Sequence, residues 1–196
     1  MKSILVTEEL QKSLLPYNCV PTDYGYPGTK HLSKWIYTLD LERFNIFVKT
    51  PIDCLNFVTE HMHYYDDKKT HKSPEHWLQN PEQIYDWIFH KRKGDCDDSA
   101  ITLASILHTL GNTEIRLALG YYGNERYADT SKFRMNHAYC LLHNEEKGNH
   151  LLLDPVGDEQ IDKLYNIKGY PEYHTMISAA ADGRIWIHGP WINEFC

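Results

Sequence analysis

The stretch from Gly94 to Gly111 constrains this chain most. A Gly-Asp turn at Gly94-Asp95 leads into Cys96-Asp97-Asp98-Ser99-Ala100, and Ile101-Thr102-Leu103-Ala104-Ser105-Ile106-Leu107 then runs as an apolar helix until Gly111. Ala100, Leu103, Ala104, Leu107 and Leu110 share one face at helical spacing, and the small residues at 100 and 104 allow close packing against a sheet. Such a helix gains by leaving water, so it is expected at the centre of the fold. Asp95 is suited to cap it, with Asp98 in the first turn, and Gly111 to end it in a left-handed conformation.

Two further helix starts precede it. Thr50-Pro51 pairs an N-cap residue with proline at the first helical position, and Ile52, Leu55, Val58, Met62 and Tyr65 recur at spacings of three and four. Asn80-Pro81-Glu82-Gln83 adds glutamine three residues after the cap, a capping-box arrangement that opens a helix expected to end near Lys91. The Pro-, Tyr- and Gly-rich segment 18–31 and the polar run 66–73 read as loops, with a strand following the first at Trp35 to Leu39. After Gly111 the period changes to two. Residues 114–119 read as a strand half-buried on one face, His137 to His143 and His150 to Asp154 as an antiparallel hairpin, and Ile185 to His188 as a last strand.

At 196 residues the chain is expected to form one domain spanning 1–196. A net charge of −7, with no basic run beyond His90-Lys91-Arg92-Lys93, argues against a nucleic-acid partner. The N-terminal sequence has only three consecutive aliphatic residues before charge appears, so neither a secretion signal nor a membrane partner is expected, and the reading is cytoplasmic, or packaged in a particle assembled in the cytoplasm. Five cysteines without close spacing fit free thiols rather than a disulfide framework.

Of these thiols only Cys96 lies in the first turn of a helix, where the positive end of the macrodipole favours the thiolate. Cys19, Cys54, Cys140 and Cys196 lack that context and read as structural. A nucleophilic thiol needs a base, and the base needs an orienter. His137 and Asp154 meet this need if the hairpin loop holds an even number of residues. Asp154 then falls opposite position 139, one diagonal step from His137 on the same sheet face. An odd loop would put the two on opposite faces. Asp95, Asp97 and Asp98 oppose the thiolate by adding negative charge. No metal site is expected: His61 and His63, two apart on a helix, would diverge, and the Asp95/Asp97/Asp98 run lacks the rest of a calcium loop.

The motifs Gly94-Asp95-Cys96-Asp97-Asp98, Asn136-His137-Ala138-Tyr139 and Leu151-Leu152-Leu153-Asp154-Pro155 stand in the order of the Gly-x-Cys-x-Asp, Asn-His-Ala-aromatic and Leu-Asp-Pro patterns of the transglutaminase-like superfamily, which the chain resembles. Trp77-Leu78-Gln79-Asn80-Pro81-Glu82 is similar to the lead-in of the bacterial transglutaminase-like cysteine peptidases. The resemblance covers residues 77–155. Residues 1–70, an N-terminal extension with a helix, and 159–196, a C-terminal elaboration, find no counterpart. It implies a papain-like α+β core, with a central helix packed on an antiparallel sheet. Cys96 would be the nucleophile, His137 the base and Asp154 the orienter. The implied activity is thiol-dependent amide chemistry through a thioester, as peptidase, amidase or transamidase, on a protein or peptide substrate and without a cofactor. An oxyanion hole would take the Cys96 backbone N–H, with Gln79 ranked above Trp77 as second donor. The competing expectation is a catalytically idle member of this fold serving in binding or assembly, for instance within a virion or another large complex.

Overall fold

The computed structural model describes residues 3–5, 29–65, 77–91, 93–123, 136–144, 149–156, 165–166 and 172–188; the loop read at 66–73 lies outside them, as does 18–28. In chain order the elements are β1 (Ser3–Leu5), a 3-10 helix (Thr29–Trp35), α1 (Pro51–His61), β2 (His63–Tyr64), α2 (Pro81–Asp86) continuing into a wide π-type turn (Trp87–Lys91), β3 (Lys93–Gly94), α3 (Cys96–Thr109), β4 (Ile115–Tyr122), β5 (His137–Asn144), β6 (Asn149–Leu153), β7 (Tyr165–Asn166), β8 (Tyr173–Ala179) and β9 (Ile185–His188). Seven strands form one antiparallel sheet in the order β1-β9-β8-β4-β5-β6-β7. The short strands β2 and β3 pair in parallel beside the start of α3.

Every residue of α3 from Cys96 to Leu107 is buried. The small-residue patch does what its spacing predicts, since Cys140 of β5 donates its thiol proton to the Ala100 carbonyl at 3.2 Å. α1 packs on α3 through Cys54, Leu55 and Val58. The helix ends at Gly111, whose φ of 90° is a conformation a Cβ would strain.

The helix starts are local and form as read, with differences in detail. Thr50 caps α1 in a full capping box with Asp53, but the helix stops at His61. Met62 is extended and His63 lies in β2, so the expected run to Tyr65 is cut short. Asn80 accepts the Gln83 N–H at 3.0 Å, while the Gln83 side chain reaches the Gln79 N–H instead of closing the box on Asn80. Asp95 holds the N-cap position of α3 without making a side-chain cap bond.

Two strand expectations need correction. Residues 36–40 form no strand; they run along α3, where Ser105 Oγ accepts the Tyr37 N–H at 3.0 Å and Thr109 Oγ1 accepts the Leu39 N–H at 2.9 Å. Helix hydroxyls satisfy the donors that a neighbouring strand would otherwise take. β4 is buried on both faces from Ile115 to Gly120, not half-buried, because it lies between β5 and β8 with α3 over one face. Its other face meets a second apolar cluster of Ala118, Tyr139, Leu141, Leu152 and Tyr173. Arg116 on that face is buried too, 3.5 Å over the Trp186 ring. Among the described residues no helix is long and apolar enough to cross a membrane.

Candidate active site

Three elements bring the predicted residues together. Cys96 opens α3 and is 7% exposed, His137 opens β5, and Asp154 follows the last residue of β6. The β5–β6 register pairs Cys140 with Leu153 and Asn144 with Asn149, leaving four residues, 145–148, between the strands. That even loop continues to place Asp154 opposite Tyr139 and diagonal to His137. His137 Nε2 donates to Asp154 Oδ2 at 2.6 Å. The Cys96 thiol interacts with the same imidazole and with the Ala138 backbone N–H.

Gly94 has no room for a side chain: a Cβ there would collide with the Trp87 indole nitrogen and the Asp98 carboxylate. The close approach of the π-type turn to α3 therefore sets the path into Cys96. Asn136 extends the β4–β5 ladder by one step. Its Oδ1 accepts the Tyr122 N–H at 2.8 Å and its Nδ2 donates to the Tyr122 carbonyl at 3.1 Å, which holds the strand end that carries His137.

The charges order themselves by burial and pairing. Burial pushes His137 down, but the charge and hydrogen bond of Asp154, with a contribution from Cys96, outweigh it and carry the imidazole up to about 10. Burial pushes Asp154 up and is likewise outweighed, here by His137, Tyr173 and the Val156 N–H, so its carboxyl is held below the usual range. Cys96 goes the other way. Burial raises its thiol and Asp95 adds to the rise, against the lowering effects of His137 and the Ala138 N–H.

The acidic neighbours act less uniformly than their charges imply. Asp97 is wholly buried, and burial, contact with the Asp95 carboxyl and the nearby Asp98 raise its carboxyl far above the ordinary range. A carboxyl raised in this way holds its proton more tightly than an ordinary one, so it opposes the thiolate less than its formal charge implies. Asp95, Cys96 and Asp97 offer ligand atoms within 4.8 Å of one another. A proton on Asp97 and a hard cation between the two carboxylates relieve the same repulsion. Gln79, ranked first as second oxyanion donor, is exposed and commits its amide to the Trp77 carbonyl at 2.7 Å; Trp77 is buried, edge-on to Trp35.

One residue of the site escaped the sequence. Tyr173 of β8 donates its hydroxyl to Asp154 Oδ2 at 2.6 Å, the oxygen that also serves His137. No motif surrounds it. The rings of Tyr122, Tyr139 and Tyr173 stand 5.6, 5.8 and 6.0 Å from the imidazole.

The fold matches known structures over nearly the whole chain. LapG of Legionella pneumophila superposes with a TM-score of 0.51 at 18% identity, covering 96% of this chain and 94% of LapG. The chain has a transglutaminase-like fold. An EGTA-treated form of Legionella pneumophila LapG gives 0.51 at 18% identity over 93% of this chain and 85% of that one. A calcium-bound form gives 0.50 at 17% over 92% and 86%. By sequence, the chain matches no protein-family model and no curated protein. At such identities the likeness establishes the transglutaminase-like fold, and chemistry has to be argued from the residues.

Proposed function

We propose that the protein is a cysteine hydrolase of peptide or amide bonds, with Cys96 as nucleophile, His137 as base and acid, and Asp154 as orienter. The observation that carries this reading is the 2.6 Å bond from His137 Nε2 to a buried Asp154, with the Cys96 thiol interacting with the same imidazole. The fold it shares with LapG, a transglutaminase-like cysteine protease, supports a protein or peptide substrate.

In the reaction the Cys96 thiol passes its proton to His137 as the sulfur attacks the carbonyl carbon, and negative charge develops on the carbonyl oxygen. The first-turn N–H groups of α3, which the Asp95 side chain leaves uncapped, are the donors on hand for that oxygen. His137 passes its proton to the leaving amine as the C–N bond breaks, giving a thioester on Cys96. Water then loses a proton to His137 as it attacks the thioester, the C–S bond breaks, and His137 returns that proton to the sulfur as the acid leaves. Water is the default acceptor, so hydrolysis is favoured over transfer to a second amine.

Site-resolved labelling tests the reading: iodoacetamide should alkylate Cys96 faster than an unstructured thiol at neutral pH, and the advantage should vanish in His137→Ala. Equal rates would overturn it and favour the second reading, an idle fold used in assembly, which the burial of Cys96 and the raised thiol support. A cation site deserves the same direct test, because buried oxygens of Asp95 and Asp97 have no hydrogen-bond partner and one similar structure is calcium-bound LapG. Asp95 and Asp97 would hold such an ion, which would offset negative charge beside Cys96. Millimolar calcium is then expected to raise the thermal midpoint of the wild type and not of Asp97→Asn.

A further inference from the structure

Three donors meet on the Asp154 carboxylate. His137 Nε2 and the Tyr173 hydroxyl both reach Oδ2 at 2.6 Å, and the Val156 N–H reaches Oδ1 at 3.0 Å. A carboxylate oxygen has two in-plane lone pairs, so the imidazole and the phenol occupy Oδ2 between them. With Val156 on the other oxygen, the plane of the carboxylate is defined on both sides. We infer that Tyr173 is a positioning residue for the proposed reaction, holding Asp154 in the one orientation in which it orients His137. The inference rests on the Cys-His-Asp reading of the site, although its main readout, the titration of His137, does not require turnover.

The backbone around Tyr173 is arranged for this contact. β8 pairs Ile177 with Leu119 but Thr175 with Gly120, so Met176 is an extra residue that slips the register by one. Beyond the slip Tyr173 and Thr175 face the same side as Ser178, where Thr175 Oγ1 lies 2.6 Å from the Tyr139 hydroxyl and Tyr173 meets Asp154. An unbroken alternation would have turned His174 to that side. Gly120 permits the slip, because a Cβ there would collide with the His174 carbonyl oxygen. The ring of Tyr173 packs edge-on against Tyr139 at 5.3 Å and 4.8 Å from Tyr122, which fixes the direction of its O–H bond.

The phenol also keeps its proton over the range that matters. Burial first, and then the Asp154 charge, push it far above the ordinary tyrosine value, so it remains a donor while His137 titrates. Among the described residues the groups facing His137 are Asp154, Cys96, Tyr122, Tyr139 and Tyr173.

Tyr173→Phe keeps the packed ring and removes only the hydroxyl. Its effect is read by NMR titration of the His137 ring nitrogens and by the iodoacetamide rate at Cys96, in Tyr173→Phe, Asp154→Asn and the double variant. The expected result is a His137 pKa lowered by about one unit and Cys96 alkylation slowed roughly tenfold, the low end of what losing an outer-shell hydrogen-bond partner costs at a functional site. In the Asp154→Asn background, Tyr173→Phe should change neither quantity further. In the wild type, the Tyr173 hydroxyl proton should resonate far downfield and lose that position in Asp154→Asn. A His137 titration that is unchanged or raised in Tyr173→Phe, or an undiminished effect in the double variant, overturns the inference. Wild-type Cys96 reacting like a free thiol while Tyr173→Phe still shifts His137 would instead overturn the hydrolase reading.

Discussion

Asp154→Asn keeps the shape of the side chain and removes the charge that holds the His137 proton. Because burial alone pushes the imidazole down, its pKa should fall from about 10 into or below the ordinary range around 6.5, as followed by NMR titration. A value that stays near 10 would mean that another group holds the proton. Gly94→Ala tests the other end of the site. Its Cβ has no space between Trp87 and Asp98, so a loss of about 1–3 kcal/mol is expected from a urea titration, together with slower alkylation of Cys96. Both residues stand in motifs visible in the sequence, and so do Cys96 and His137. Tyr173 stands in none, because its role follows from where β8 lies and not from any neighbour along the chain.

The elements that form through local contacts were the legible ones. Thr50-Pro51 and Asn80-Pro81 start helices through caps only three residues long, and Gly111 ends one through its own backbone angle. Asn80→Ala removes a single accepted N–H bond and should lower stability by about 1 kcal/mol, read as a shift in the urea midpoint at constant slope. No shift would show that packing of Trp87 and Ile88 alone defines the start of α2. The segment 36–40 shows the limit of such reading. Its apolar residues suit a strand, but the donors of Tyr37 and Leu39 found hydroxyls on α3, some seventy residues away. The buried far side of β4 has the same origin, since alternation along a strand does not reveal that the opposite face also acquires a cover.

For the molecule as a whole, the His137–Asp154 pair links stability to pH. His137 has a folded pKa raised from 6.5 to about 10, so its contribution is complete below about pH 6.5 and is lost as pH rises through about 10. Asp154 is depressed from 3.8, so its contribution is present above that value and lost as pH falls through the lower folded pKa. Thermal midpoints should therefore decline between about pH 6.5 and 10, and the decline should flatten in Asp154→Asn; an equal slope in both proteins would assign the loss to other groups. The sequence by itself determined the central helix and the thiol at its start, and it made the shared face of His137 and Asp154 conditional on an even hairpin loop, a condition the β5–β6 register meets. Each of these follows from spacing and capping over a few residues. Only the tertiary structure decided the state of the charges, since burial raises Asp97 and the packed Asp154 carboxylate raises His137, and no spacing records either. It also decided the fourth partner of the site, because a one-residue slip opposite Gly120 sets which face of β8 meets Asp154, and that slip exists only once the two strands are packed together.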